Sequence, residues 1–482
     1  MIFEYSKISY FRLNIILTLV QIRTTMLYLI LRPIIRLSLS VFFRNIKVIG
    51  TNNLPAQGPA IFVANHPSAV IDPLAVAITL KRRIYFLAGA NWFGKGLKRW
   101  IFKNQLNMIP VHRPWLSKGE KVANVDMFKD CYKSLEKGNW IILFPEANSI
   151  TVSKIREIKT GAIRIKSGYE EHVGHKSTVP IIPIGLNYSN PHQFQSKLIV
   201  KIGKPIDFIK PDENLDAKAQ VRERANQMHE GLKNTVIQIE NDDNSPLVKK
   251  VSRLFLETLS TDDKISNQEN EESFENAQSI AKAINHFEAN DVERFQKMNI
   301  RIDSYFSKLK KVGVSDTKVS GEDYVKSFLP KVLLLVFGLP FILASIIVYF
   351  IPFQLTKILF KKKLRPMIDD VYDTDKLTPA FTGSLIFSLG MVVFMLWTLL
   401  FSVSMAIISG HILIGIAVLI IGHPLFNFSL FYSKIALRLN QYLRGEKNRK
   451  KNITGFNELV VERAQLILIL KEYQNEYDAI KE

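Results

Sequence analysis

Ala60-Ile61-Phe62-Val63-Ala64-Asn65-His66-Pro67-Ser68-Ala69-Val70-Ile71-Asp72-Pro73 is the stretch that decides how this chain reads. Five apolar residues in a row have the length and make-up of a buried strand. Pro67 interrupts regular structure directly after His66. Asp72-Pro73 predicts a helix start, with Asp at the cap and Pro at the first helical position. His66 therefore falls on a loop at a strand end, where α/β sheets commonly place their sites. A histidine held by a carboxylate can take a proton from a hydroxyl as the oxygen attacks a carbonyl. The competing reading is that Asp72 only caps a helix and His66 decorates a loop.

The same strand-then-helix pattern continues on both sides. Further β-rich runs are Asn45–Gly50, Ile84–Ala88, Trp140–Phe144, Val179–Gly185 and Lys197–Ile202. Helical pieces at 73–81 and 120–137 lie between them. Near-continuous apolar strands alternating with helices predict an α/β fold, a sheet covered by helices on both faces.

Three more clusters in this region carry candidate chemistry. Phe144-Pro145-Glu146-Ala147-Asn148-Ser149 places Glu146 at a strand end. Lys159-Thr160-Gly161-Ala162 opens a helix that also carries Arg164, and a helix N-terminus beside a lysine suits a phosphate. Arg113 ends the short apolar run Met108–Val111, as a phosphate-binding arginine does. Taken singly, Lys159, Arg164 and Arg113 also read as ordinary solvated cations. Val179-Pro180-Ile181-Ile182-Pro183-Ile184-Gly185 has no titratable group and reads as a stiff buried wall.

Outside this region the chain changes character. Residues 1–45 are apolar but carry Arg12, Arg23, Arg32 and Arg36. Arginine in mid-span costs about 2.5–3.5 kcal/mol on insertion scales. Repeated arginines instead suit helices lying in the interface with their charged heads snorkelling. A shallow hairpin broken near Pro33 is expected, with a true span at 15–31 as the alternative. No small-residue cleavage site follows, so a removed signal peptide is not expected. Residues 213–330 are charged and largely helical, with an exposed linker or helix-connecting loop expected within 240–275 and one helical face running through 277–312.

Residues 331–352, 381–405 and 407–432 are each long and apolar enough to span a bilayer. Lys357, Lys361, Lys362, Lys363 and Arg365 precede the last two, and the basic stretch 433–482 follows them. The positive-inside rule puts both flanks in the cytoplasm, making 381–432 a hairpin. A single crossing by 331–352 would then leave the α/β domain outside. Gly338-Leu339-Pro340 permits a re-entrant segment instead.

The composition agrees with a membrane protein. Hydrophobic residues make up 47% and charged residues 22%. Mean hydropathy is nonetheless slightly positive, at +0.07. The net charge of +20 fits anionic lipid or a phosphorylated substrate. Nucleic acid is not expected, because no zinc, helix-turn-helix or RNP-like pattern is present. No Cys/His metal-ligand spacing exists. The one cysteine, Cys131, falls in a helical stretch and reads as a packing residue in a reducing compartment.

Asn-His with a nearby Asp, a run ending in Arg, Phe-Pro-Glu, and a Val-Pro-rich strand, in that order, resemble the glycerolipid acyltransferase family. That family includes lysophosphatidate and glycerol-3-phosphate acyltransferases. The resemblance covers roughly residues 50–205. The Asn-His-Pro-Ser and Ile-Asp-Pro-Leu form looks most like the fungal-type dual-specificity glycerol-3-phosphate/dihydroxyacetone-phosphate enzymes and their bacterial relatives. It implies a mixed sheet flanked by helices, with a helical insert and C-terminal transmembrane helices.

It further implies transfer of a fatty acyl group from acyl-CoA or acyl carrier protein to a glycerol phosphate hydroxyl, with no metal or other cofactor. His66 would be general base and Asp72 its partner. Arg113, Lys159, Arg164, Glu146 and Asn65 would bind substrate. The protein would sit in the cell inner membrane with the domain 46–212 facing the cytoplasm. Lysophosphatidate or a lyso-amino lipid as acceptor, or a decayed lipid-binding domain without catalysis, are the alternatives.

Two departures from the family pattern stand out. Five residues separate His66 from Asp72 where four are usual. On a regular helix an offset of six places side chains about 240° apart. The two can meet only across a bulged loop. The second departure is Ala147-Asn148-Ser149 where the family commonly has Gly-Thr-Arg. Alanine there is costly if the backbone needs a positive φ.

Overall fold

The computed structural model describes residues 26–112, 124–209, 214–256, 267–321, 328–366 and 377–481. Arg113 and residues 1–25 lie outside them, and with them the first half of the expected N-terminal hairpin. The chain divides into two compact units, Met1–Val236 with Asp373–Ser384, and Ile237–Tyr372 with Leu385–Glu482.

The first unit is built on a seven-stranded sheet. Its strands are β1 (Phe43–Ile49), β2 (Ala60–Ala64), β3 (Ile84–Gly89), β4 (Met108–Val111), β5 (Trp140–Leu143), β6 (Ile181–Tyr188) and β7 (Ser196–Ile202). Their order is β1-β7-β6-β2-β5-β3-β4. All neighbours are parallel except β6 and β7. The mixed α/β sheet expected from the sequence is therefore present, with β4 as an added edge strand.

Every residue of β2 and β5 is buried, because helices cover both faces. The helices of this unit are α1 (Met26–Phe42), α2 (Ile71–Thr79), α3 (Val125–Glu136), α4 (Gly161–His172) and α5 (Ala217–Lys233). One core joins Ile61, Val63, Ile141 and Leu143 of the strands to Cys131, Leu135, Ile163 and Leu232 of the helices. Burial pushes the Cys131 thiol up to about 12, so it is inert packing. The Val179–Gly185 wall is likewise core, since Val179, Ile181, Ile182 and Ile184 are fully buried.

Near the N-terminus the structure departs from expectation. Helix α1 runs through Pro33 without a break. Arg32 donates to the carbonyls of Leu80 and Lys81, and Arg36 donates to Ile78 at 3.1 Å. These are carbonyls at the end of α2 that have no partner within the helix. The two arginines cap a helix of the sheet domain rather than snorkelling away from it.

The second unit is helical. Its charged part holds α6 (Ser245–Leu256), α7 (Asn267–Asn290) and α8 (Val292–Val312). Within the stretch expected as an exposed linker or helix-connecting loop, Asn241–Asn244 forms the turn that opens α6. Residues 257–266 lie outside the described residues. The single helical face expected over 277–312 is two helices, because Asp291 caps α8 by accepting from Arg294 N–H.

Four apolar or mixed helices follow: α9 (Phe328–Phe337), α10 (Leu339–Leu359), α11 (Leu377–Ser409) and α12 (Ile412–Lys451); α13 (Ile453–Lys481) closes the chain. Three stretches are long and apolar enough to cross a membrane, Leu339–Leu364, Ala380–Ser409 and Ile412–Lys451. The break at Gly338-Leu339-Pro340 starts this first stretch instead of bisecting it. A Cβ at Gly338 would meet the rings of Phe428 and Tyr432 at 3.0 and 2.9 Å. Pro340 sits in the first turn of α10, where it displaces no helix hydrogen bond. Leu339–Leu364 is 26 residues of helix, long and apolar enough to cross a membrane by length and composition.

The tail differs as well. The apolar helix that was expected to end at 432 continues to Lys451. Helix α13 buries Leu459, Leu466 and Leu470 against α6, α7 and α8, so it belongs to the helical core.

Replacing Arg36 with alanine leaves a terminal carbonyl of α2 uncapped. The Arg36→Ala protein should lose about 1–2 kcal/mol of stability in a denaturant titration. An unchanged midpoint would show that the cap is not used.

Candidate active site

Strands β6, β2 and β5 are adjacent and parallel, so their carboxyl ends reach one edge of the sheet. His66 follows β2, Glu146 follows β5, and Tyr188 ends β6. Parallel pairing thus gathers three functional groups from distant sequence positions.

Asn65 comes first after β2. Its amide donates to Leu186 O at 3.1 Å, and its carbonyl oxygen accepts from Leu186 N–H at 2.7 Å. Both ends of this buried side chain are used in extending the β2–β6 ladder. Asn65 positions the loop, and the expected substrate contact is not where the structure places it.

The His66 Nδ1 lies 2.8 Å from Asp72 Oδ2. A carboxylate only accepts, so Nδ1 carries the proton and Nε2 presents its lone pair. Among the described residues Nε2 has no partner. The imidazole stacks on Phe144 at 4.3 Å and keeps 16% of its side chain exposed.

Asp72 is fully buried and completely engaged. Besides His66, Oδ2 accepts from Ser68 N–H at 2.7 Å. The Tyr188 hydroxyl donates to Oδ1 at 2.6 Å. Burial, and then the Asp72 charge, hold the Tyr188 hydroxyl well above its ordinary pKa, so it remains a donor.

The six-residue step from His66 to Asp72 is spanned by a bulge. Ala69 has φ of +34°, and α2 begins at Ile71, one residue before Asp72. Asp72 therefore does not cap the helix as the sequence predicts. It lies in the first turn and folds its carboxylate back onto the loop.

The loop after β5 clasps this bulge. Ser149 Oγ accepts from Ala69 N–H at 2.6 Å, and Ile150 N–H donates to His66 O at 3.2 Å. Thr151 Oγ1 donates to Pro67 O at 2.9 Å and also pairs with His192 Nε2 at 2.9 Å. Burial lowers the His192 pKa, keeping that ring neutral, with the Asp72 charge opposing.

Glu146 is buried, with Oε2 2.6 Å from an Arg156 guanidinium nitrogen. Burial raises its pKa, opposed by the charges of Arg156 and His66. Glu146 Oε1, Arg156 Nε and Ser68 Oγ are buried without a partner among the described residues. Unmatched buried polar atoms around one histidine mark a place where a polar ligand fits.

The two expected cations among the described residues, Lys159 and Arg164, do not gather here. Lys159 Nζ is exposed and pairs with Glu157 at 3.1 Å. Arg164 is exposed on α4 and stands over the Phe128 ring at 5.9 Å. Among the described residues neither side chain bonds to the 65–72 loop. Arg156, Tyr188, Ser149 and His192 were not legible as site residues. Only Ser149 lay inside a recognised motif, and there it counted as a loss.

Residues 45–187 match the family profile described as Acyltransferase. The chain is 28% identical over 150 residues to glycerol-3-phosphate O-acyltransferase 1 of Saccharomyces cerevisiae, covering 29% of this chain and 19% of that protein. It is 25% identical over 151 residues to the chloroplastic 1-acyl-sn-glycerol-3-phosphate acyltransferase LPAT1 of Arabidopsis thaliana, covering 31% and 38%. The aligned stretch therefore spans well under half the length of these relatives. The crystal structure of the 1-acyl-sn-glycerophosphate acyltransferase PlsC from Thermotoga maritima aligns with TM-score 0.29 and 19% identity, over 42% of this chain and 77% of that one.

Two outcomes test this geometry. Tyr188→Phe leaves a buried carboxylate oxygen unmatched, which costs about 1–3 kcal/mol. Stability should fall by that amount on a denaturant titration, with no change in secondary structure by circular dichroism. Ala147 has φ of +66°, a region that costs an L-residue about 1–2 kcal/mol. Glycine relieves this but frees the unfolded chain by about 0.4–1 kcal/mol. Ala147→Gly should therefore raise stability by roughly 0.5–1 kcal/mol. A destabilised variant would refute the strain.

Proposed function

We propose, from the match of residues 45–187 to the acyltransferase family profile, that this chain esterifies glycerol 3-phosphate or dihydroxyacetone phosphate with a fatty acyl group. The observation that carries this is the 2.8 Å contact from His66 Nδ1 to Asp72, which leaves Nε2 as an available base. The donor is an acyl thioester on coenzyme A or acyl carrier protein.

His66 Nε2 takes the proton of the acceptor hydroxyl as its oxygen attacks the thioester carbonyl. The C–S bond breaks, the ester forms, and the imidazolium returns its proton to the departing thiolate. Asp72 holds the ring and stabilises its positive charge during transfer. No acyl-enzyme intermediate is needed.

Arg156 is the cation offered to the acceptor phosphate, with Nε unmatched and Glu146 fixing its terminal nitrogen. Guanidinium suits phosphate through paired charge-assisted hydrogen bonds. Arg113, outside the described residues, remains a second candidate. Lys159 and Arg164 are exposed and are set aside. Three long apolar helices fit membrane association, and α1 shows Met26, Leu29, Ile30 and Leu37 to solvent as an interfacial face. A cytoplasmic orientation at the inner membrane would put the site beside its thioester supply.

His66→Ala should lower acyl transfer by about 10²–10⁴-fold while membrane association is retained. Near-normal turnover would remove His66 from the reaction. Arg156→Gln should raise the KM for the phosphate-bearing acceptor by about 10–100-fold, the loss expected of one charged hydrogen bond. The donor KM should stay constant, and an equal rise in both would sink the phosphate role. A panel of labelled acceptors decides between glycerol phosphates and lysophosphatidate.

A further inference from the structure

The bulge that lets Asp72 reach His66 rests on two serines from different parts of the chain. The peptide unit joining Ser68 to Ala69 is held at both ends. Its N–H is taken by Ser149 Oγ at 2.6 Å. Its carbonyl oxygen, on Ser68, accepts from Ser384 Oγ at 2.6 Å. The same Ser384 hydroxyl accepts from Ile71 N–H at 3.2 Å, at the first residue of α2. Ser384 is fully buried and lies 316 positions from Ser68 in the chain.

Residues 373–384 belong to the sheet unit, although α11 goes on to form the candidate span Ala380–Ser409. A second feature brings this helix start so close. A Cβ on Gly383 would meet His192 Cα at 2.8 Å, His192 Nδ1 at 2.9 Å and Pro191 O at 2.9 Å. Only a bare glycine permits that approach, and one residue later Ser384 reaches the bulge.

We infer that Ser384 is a positioning residue for acyl transfer, acting through the Ser68–Ala69 peptide on the His66–Asp72 pair. Ser68 is the junction. Its N–H donates to Asp72 Oδ2 and its carbonyl is fixed by Ser384, so a shift at one end is felt at the other. Position 69 is held at positive φ, a conformation that persists only where neighbours over-determine it. Ile71 N–H also donates to Ser68 O at 2.9 Å, so without the Ser384 hydroxyl this turn keeps its own hydrogen bond but loses the side chain that bridges its two ends, and the turn bearing Asp72 is held less tightly. This inference rests on the acyl transfer proposed above.

The test uses the full-length protein in detergent or vesicles, with kcat and both KM values measured. Ser384→Ala should lower kcat about tenfold and leave both KM values within about twofold, because binding groups are untouched while the base is displaced. Ser384→Thr keeps the hydroxyl and should retain kcat within about threefold; the near-isosteric Ser384→Val should match the alanine variant. Ser402→Ala is the control. That hydroxyl of the same helix donates to Gly415 O of α12 at 2.8 Å, so its loss removes a helix–helix bond away from the 65–72 loop and should leave kcat unchanged.

Equal kcat in the parent and Ser384→Ala overturns the inference. So does equal loss in the Ser384 and Ser402 variants. If Ser384→Ala is not recovered folded, the threonine and valine pair decides, and equal turnover in those two overturns it. The His66→Ala protein separates the two levels of argument. Full activity there removes the proposed reaction, whereas an inactive His66→Ala with a fully active Ser384→Ala removes only the positioning role.

Discussion

The hydrogen bond between Asp72 and His66 is the constraint around which the sheet unit is organised. Helix geometry opposes it, because six positions turn the two side chains well apart. The chain solves this with one extra residue in the loop, Ala69, held at positive φ. A carboxylate folded back onto a loop must be buried, and a buried carboxylate must be matched or it takes up a proton. Asp72 is matched three times, by an imidazole, a backbone amide and a phenol. Removing any one leaves the others holding a less well-balanced charge.

The fold was largely legible because it depends on local signals. β2 and β5 are uninterrupted apolar runs, and such runs can only be interior strands of a covered sheet. His66 and Glu146 were legible for the same reason, as polar residues where such runs stop. Tyr188 was not. A tyrosine ending an apolar strand looks like ordinary strand chemistry, and its role follows from β6 lying beside β2, which sequence does not display. Ser384 was further out of reach, because one of several serines in a long apolar helix carries no signal of its own. Local signals with two structural outcomes mislead in the same way. Pro33 marks a break in most helices but is carried within α1, and the arginines taken for lipid anchors found helix carbonyls nearby.

The His66–Asp72 spacing and the Ser149 side chain are structurally linked. The longer His66–Asp72 spacing creates an exposed amide at Ala69, which a buried bulge cannot leave unmatched. Ser149, standing where many relatives have arginine, supplies the oxygen that takes it. Ala147, where glycine is usual, keeps the left-handed backbone that glycine would adopt freely, so the turn after Pro145 is preserved at some strain.

Loss of that arginine moves the question of phosphate recognition elsewhere. A phosphate needs a cation whose position is fixed, since a mobile lysine must be ordered before it can bind. Lys159 and Arg164 fail this requirement, being exposed and turned to other partners. Arg156 meets it. Glu146 and the Asn148 carbonyl hold its terminal nitrogen, while its Nε stays unmatched in a buried setting. Glu146 is then not an orphaned acid beside a base. In the proposed reaction it is the counter-charge to a guanidinium held near an imidazole that would become positive. Without that carboxylate the two cations would oppose each other, and the base would lose part of the stabilisation Asp72 supplies.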